Sequence, residues 1–138
     1  MTKAARCVAA AIGAAVLAGI GCASRPAPEP FRPEVVVGDQ AAIYLYRTRG
    51  MGGPVRVAMD GQDIGDLGTG QYLVRLVTPG EHIVRAEGGS SVARSVRVIA
   101  GEAGYVEVST GGFGRHPTMT TPDDTTARAR IAGLTRVP

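Results

Sequence analysis

Tryptophan is absent, and only four tyrosines and two phenylalanines stand among the 138 residues. So few large aromatics, beside 20 glycines, exclude a large core and leave room for a small, turn-rich one. Lysine occurs once, as Lys3; every other basic side chain is arginine. Genomic composition explains that bias more simply than a phosphate-tuned surface does. No basic cluster exceeds two in any short window, so the sequence pI near 9.2 carries no nucleic-acid footprint. Cysteine is limited to Cys7 and Cys22. With Cys7 in a removable leader, neither an intramolecular disulfide nor a cysteine metal site is possible. Helix-length apolar periodicity is missing between residues 41 and 110, which disfavours a parallel βαβ sheet.

The N-terminus supplies what the rest lacks. Lys3 and Arg6 form a positive end, and Val8 to Ile20 is an apolar run closed by small residues. This is the physical form of an export signal. The run is shorter than the ~20 residues a membrane-spanning helix needs. Without Lys3 and Arg6 the chain carries 13 arginines against 12 acids, so its mature charge is near +1.

Leu17-Ala18-Gly19-Ile20-Gly21-Cys22 resembles the end of a bacterial lipoprotein signal. The resemblance implies cleavage between Gly21 and Cys22, with Cys22 acylated as the new N-terminus. Gly19 departs from the family pattern, which has an aliphatic residue three places before the cysteine. Gly21-Cys22-Ala23 also satisfies the small-x-small rule, which gives ordinary cleavage after Ala23 as the rival reading. Stable anchoring takes two acyl chains, and this class carries three. Ala23 and Ser24, rather than aspartate, imply sorting to the periplasmic face of an outer membrane. Residues 1–21 are thus read as signal and residues 22–40 as lipidated N-terminus and linker. Pro26, Pro28, Pro30 and Pro33 favour polyproline II, a spacer reaching up to about 50 Å.

Residues 41–110 read as an all-β domain, a small immunoglobulin-like β-sandwich of about seven antiparallel strands. Ala42–Arg47 is β-rich, and Val55–Met59 alternates cleanly. Asp60-Gly61 is a type I′ hairpin signal that pairs Val57 with Ile64. Pro79-Gly80 is a second turn, whose register faces Arg75 against either Val84 or Arg85. The expected core is Ile43, Leu45, Val57, Ile64, Leu76, Val84, Val98 and Val106. Residues 111–138 read as a flexible tail with a short helix at 122–134, capped by Thr121 and started by Pro122.

Catalytic and metal chemistry find no foothold in the pattern. His82 and His116 lack the neighbours of a metal site and read as surface or rim side chains. Asp60, Asp63 and Asp66 lie across a hairpin, which scatters them, so solubility explains them better than calcium. The glycine-rich stretches at 50–53 and 111–114 lack the residues of a phosphate loop, and no serine sits in a nucleophile elbow. Tyr44, Tyr46, Arg47, Tyr72 and Tyr105 remain as a possible ligand surface for carbohydrate or peptidoglycan.

Tyr44-x-Tyr46-Arg47, Asp60-Gly61-x-x-Ile64-Gly65, Gly70-x-Tyr72, Pro79-Gly80-x-His82 and Ala100-Gly101-x-x-x-Tyr105 together resemble an uncharacterised family of bacterial envelope lipoprotein domains. The spacing is also similar to Pro-Glu-Gly-Ala-type immunoglobulin-like surface domains, without that tetrapeptide. The resemblance implies fold, not activity. The expectation is a non-catalytic, cofactor-free, lipid-anchored protein that binds or scaffolds another envelope component, not nucleic acid. The alternative is a carbohydrate- or peptidoglycan-binding module exported without lipidation.

Overall fold

The computed structural model describes residues 30–34, 36–111 and 116–138. Gly21 and Cys22 lie outside them, as do Pro26, Pro28, Arg115 and the 112–114 part of the second glycine-rich stretch. Among the described residues nine strands and one helix follow in order: β1 (Ala41–Arg47), β2 (Val55–Met59), β3 (Gln62–Leu67), β4 (Gln71–Val77), β5 (Gly80–Glu87), β6 (Ser91–Val98), β7 (Ala103–Gly111), β8 (His116–Thr120), α1 (Asp124–Ile131) and β9 (Thr135–Arg136). They form an all-β sandwich of a five-stranded sheet, β8-β7-β1-β4-β9, and a four-stranded sheet, β3-β2-β5-β6.

Period-two alternation makes the core. Ile43 and Leu45 of β1 meet Val55, Val57, Leu73, Val84, Val98 and Val106 between the sheets. Fully burying each such side chain contributes roughly 1.5–3 kcal/mol. β1 is buried along its whole length. Its outward side chains, Ala42, Tyr44 and Tyr46, lie beneath a third layer made by α1 and the extended segment around Phe31 and Val36. A central strand covered on both faces reads as a continuous apolar run, as Ala41–Tyr46 does.

Seven of the strands are those expected from the sequence, and β8 and β9 are additional. Pairing is not wholly antiparallel: β1 runs parallel to β7, and β4 parallel to β9. The segment expected as a flexible tail instead supplies β8, paired antiparallel to Glu107–Gly111. Met119 carries it down by entering the core. The linker expected to run to residue 40 ends earlier, because the segment around Phe31 and Val36 packs on the sandwich. Asp123, not Thr121, caps α1, its carboxylate accepting the Thr126 N–H at 3.0 Å.

Two registers differ from expectation. Asp60 (φ 51°) and Gly61 (φ 82°) form the left-handed pair of a type I′ turn. A bulge then places Val57 opposite Gly65 rather than Ile64. Gly65, at φ 132°, supplies the backbone that a bulge needs and a side chain resists. Pro79-Gly80 does not close a hairpin, because β4 and β5 belong to different sheets. Arg75 faces Ile43, while Val84 faces Arg94 and Met59. Leu76, expected in the core, is 51% exposed. It stands opposite Ala42 on the outward face of the five-stranded sheet, with Tyr72 and Val74, and the core face takes Leu73 and Val77.

Candidate functional site

The outward face of the five-stranded sheet gathers four of the five residues expected to form a ligand surface. Tyr44, Tyr46 and Tyr105 are buried there, and Tyr72 is half-buried. Tyr44 stacks on Tyr105 with ring centroids 5.4 Å apart, and Phe31 meets Tyr44 and Tyr72 edge-on. Tyr44 Oη accepts the Glu34 N–H at 2.7 Å, and Glu34 pairs with Arg136. These tyrosines are therefore not an exposed sugar platform. The strap around Phe31 and the apolar side of α1 cover them, and ring stacking favours that burial.

Two hydroxyls under this cover are unsatisfied. Tyr46 Oη and Tyr105 Oη are buried with no hydrogen-bond partner among the described residues. Burial, reinforced by the Glu107 carboxylate, pushes the Tyr46 phenol up to about 12. Burial likewise raises Tyr105, although Asp124 and Arg128 lie close enough to influence it. Those two side chains pair with each other at 2.9 Å.

Arg47 faces the other way. Its side chain follows Ile43 and Leu45 inward and is fully buried. Nη1 donates to the carbonyls of Gly53 and Leu67, and Nη2 to the Met51 carbonyl and Thr110 Oγ1. No carboxylate pairs with it among the described residues, and desolvation lowers its pKa. The guanidinium thus collects the carbonyls of the 49–54 loop, so Arg47 belongs to the fold rather than to a ligand surface. An arginine closing an apolar run before a glycine-rich loop is the sequence signal for this role.

His82 is buried, not on the rim. Nδ1 donates to Asp60 Oδ2 at 2.6 Å and Nε2 to the Thr78 carbonyl at 2.7 Å. Both acceptors lack a proton to give, so the ring is favoured as imidazolium. The Asp60 bond, then the Thr78 bond, raises its pKa. With both nitrogens engaged, His82 is not placed to act as a general base. Asp63 and Asp66 point instead to Arg56, at 3.6 and 3.8 Å. Among the described residues no three His, Cys, Asp or Glu side chains converge to hold a metal. Among the described residues His116 meets Ser90 Oγ, at 3.3 Å.

Polar clefts border the tyrosine layer. One, of about 360 Å³, is lined by Thr48, Arg49, Glu107, Ser109 and Arg130. Glu107 is held there by Thr48 Oγ1 and by Arg130. Another, of about 290 Å³, opens at the seam between β6, β7 and the start of α1. Neither presents a nucleophile beside a free base.

The class defined by these observations is an all-β sandwich with one face sealed by a helix and an N-terminal strap. No family model and no curated protein matches the chain.

Proposed function

We propose that this protein is a non-catalytic adaptor of the cell envelope, anchored through acylated Cys22, whose sandwich binds or scaffolds another envelope component. The observation that carries the reading is the seat of Phe31 on Tyr44 and Tyr72. Eight residue steps separate Cys22 from Pro30, which span at most about 30 Å when fully extended. A domain strapped so close to its acylation site is held against a surface rather than displayed far from it. The engaged His82 and the polar clefts support a binding role over a catalytic one. Outer-membrane sorting follows from Ala23 and Ser24 under the same reading.

Mass spectrometry of the mature N-terminus tests it. A triacylated Cys22, and release of the Cys22→Ala chain from membranes, is the expected result. An unmodified N-terminus at Ser24 sinks the anchor. The alternative, a peptidoglycan-binding module, is separated by sedimenting the chain from Ala23 onward with purified peptidoglycan. Buried tyrosines favour no retention.

A further inference from the structure

The strap lies on its own sheet as a bound peptide would. Phe31 sets its ring edge-on to two tyrosines, 5.4 Å from Tyr44 at 85° and 5.6 Å from Tyr72 at 79°. Phe31 and Pro33 are half-buried, while Arg32 and Glu34 are exposed, the alternation of an extended chain on a surface. The Glu34 N–H donates to Tyr44 Oη at 2.7 Å, and the Glu34 carboxylate meets Arg136. The seat therefore recognises a ring, an apolar residue two places on, and a main-chain N–H with a carboxylate three places on.

The strap is held without a ladder. Among the described residues no bond between main-chain groups ties the 30–39 segment to the sheet; such bonding begins at the Gln40 carbonyl, which accepts the Gly101 N–H. Arg136 and Glu34 are 53% and 41% exposed, so their ion pair adds little. Gly38 stands exposed at φ 79° just before β1, a joint about which the segment can swing. A segment held in this way belongs to the part of a fold that opens first. Beneath it β1 and β4 keep their own pairing, Tyr44 to Val74 and Tyr46 to Tyr72, so its release leaves the sheet intact.

We propose that the seat on Tyr44 and Tyr72 receives, in place of the strap, an extended segment of a partner protein with the same pattern of ring, apolar residue and acid. The strap's own contacts select this occupant. A second copy's strap makes the same contacts without the advantage of attachment in cis, so exchange between copies gains nothing. A partner prevails with a larger ring, as tryptophan supplies. Nineteen residue steps separate Cys22 from Ala41, a span of at most about 65 Å, against eight steps to Pro30. Filling the seat in trans thus lets the sandwich stand further from its acylation site while it holds the partner. The proposal rests on the adaptor reading, and only this last consequence depends on the lipid anchor.

The test adds a capped peptide with the sequence of residues 30–37 to the full chain and to its Phe31→Ala and Phe31→Leu variants. Amide shifts of β1 and β4 read binding, and slow amide exchange in β5 shows that a variant is folded. The peptide is expected to bind Phe31→Ala about tenfold or more tighter than the unaltered chain, with Phe31→Leu between, because the cis competitor is weakened. The same peptide with tryptophan for its phenylalanine should bind tighter still, and with alanine there should not bind. Phe31→Leu decides the matter if Phe31→Ala loses its β5 protection. Equal affinity for the folded chains, no binding to a folded variant, or strap exchange into dimers by the unaltered chain overturns the proposal. A photo-crosslinker in cells at Leu76, exposed on the same face, is compared with one at exposed Ile83 of the other sheet. Partner adducts from Leu76 that rise with Phe31→Ala are expected. Leu76 adducts that do not rise, or adducts from Ile83 alone, refute the seat and keep the adaptor, whereas adducts from neither position refute both.

Discussion

Phe31 stands edge-on to Tyr44, with ring centroids 5.4 Å apart and planes at 85°. This contact joins what would be a linker to the most central strand of the fold. It makes the strap part of the folded unit, so damage to the strap should register as lost stability.

Phe31→Ala is expected to cost about 1–3 kcal/mol, less than a fully buried Phe because Phe31 is only partly covered. Removing residues up to Asp39 should cost more, since the Glu34 bonds to Tyr44 and Arg136 go with it. Urea midpoints of the two variants check this. Unchanged midpoints would show that the strap is not docked.

Arg47→Met should lower stability by about 3–5 kcal/mol, because it strands several buried acceptors at once. Arg47→Lys should recover little, since one ammonium cannot replace a forked donor. Gly50→Ala attacks the same cluster from the loop side. Its Cβ would lie 2.5 Å from Thr110 Oγ1 and 3.0 Å from Arg47 Nη2, at a φ of 141°. Denaturant unfolding of the three variants should rank Arg47→Lys close to Arg47→Met; near-native Lys would contradict the carbonyl-collecting role.

The His82–Asp60 pair makes stability depend on pH in two directions. Folding raises the His82 pKa through Asp60 and then Thr78, so its contribution is full below about pH 6.5 and fades as pH rises through the folded value. Folding lowers the Asp60 pKa through His82 and then the Ile83 N–H. Its contribution is present above about pH 3.9 and fades as pH falls through the folded value. The pair therefore stabilises most in the mildly acidic range between. Denaturation midpoints should decline from about pH 6 to pH 8, and His82→Asn should flatten that decline. An equal slope in the variant would reject the pairing.

Gly104 of β7 packs directly against β6. A Cβ there would lie 2.7 Å from Val98 Cγ1 and 3.2 Å from Val96 Cγ1. Both neighbours are β-branched and cannot swing away freely. Gly104→Ala should cost about 1–3 kcal/mol, and adding Val98→Ala should return part of it in a double-mutant cycle. Strict additivity of the two losses would show that the sheets do not meet here.

Much of the sandwich was legible because its signals are local. Val55-x-Val57-x-Met59 alternates, and Asp60-Gly61 takes left-handed φ angles that few other pairs accept. The same locality misled at Pro79-Gly80, where a turn between sheets looks like a turn within one. Leu76 was misplaced because period two does not say which face is the core. The bulge at Gly65 shifted Ile64 by a register no short window reveals. The ligand surface failed for a related reason: Tyr44, Tyr46 and Tyr105 are covered by other segments of the chain, as Tyr44 is by Phe31, 13 positions before it.

By itself, then, the chain's local chemistry determined the all-β class, the hairpin at Asp60-Gly61 and the glycine- or proline-bearing turns between the first seven strands. Turn geometry and side-chain alternation act over a few residues, so they survive in a one-dimensional reading. Only tertiary structure decided the parallel seating of β1 beside β7, the burial of Arg47 and the sealing of the tyrosine layer. Those depend on which distant segments exclude water from a shared face, and that is settled only when the segments meet.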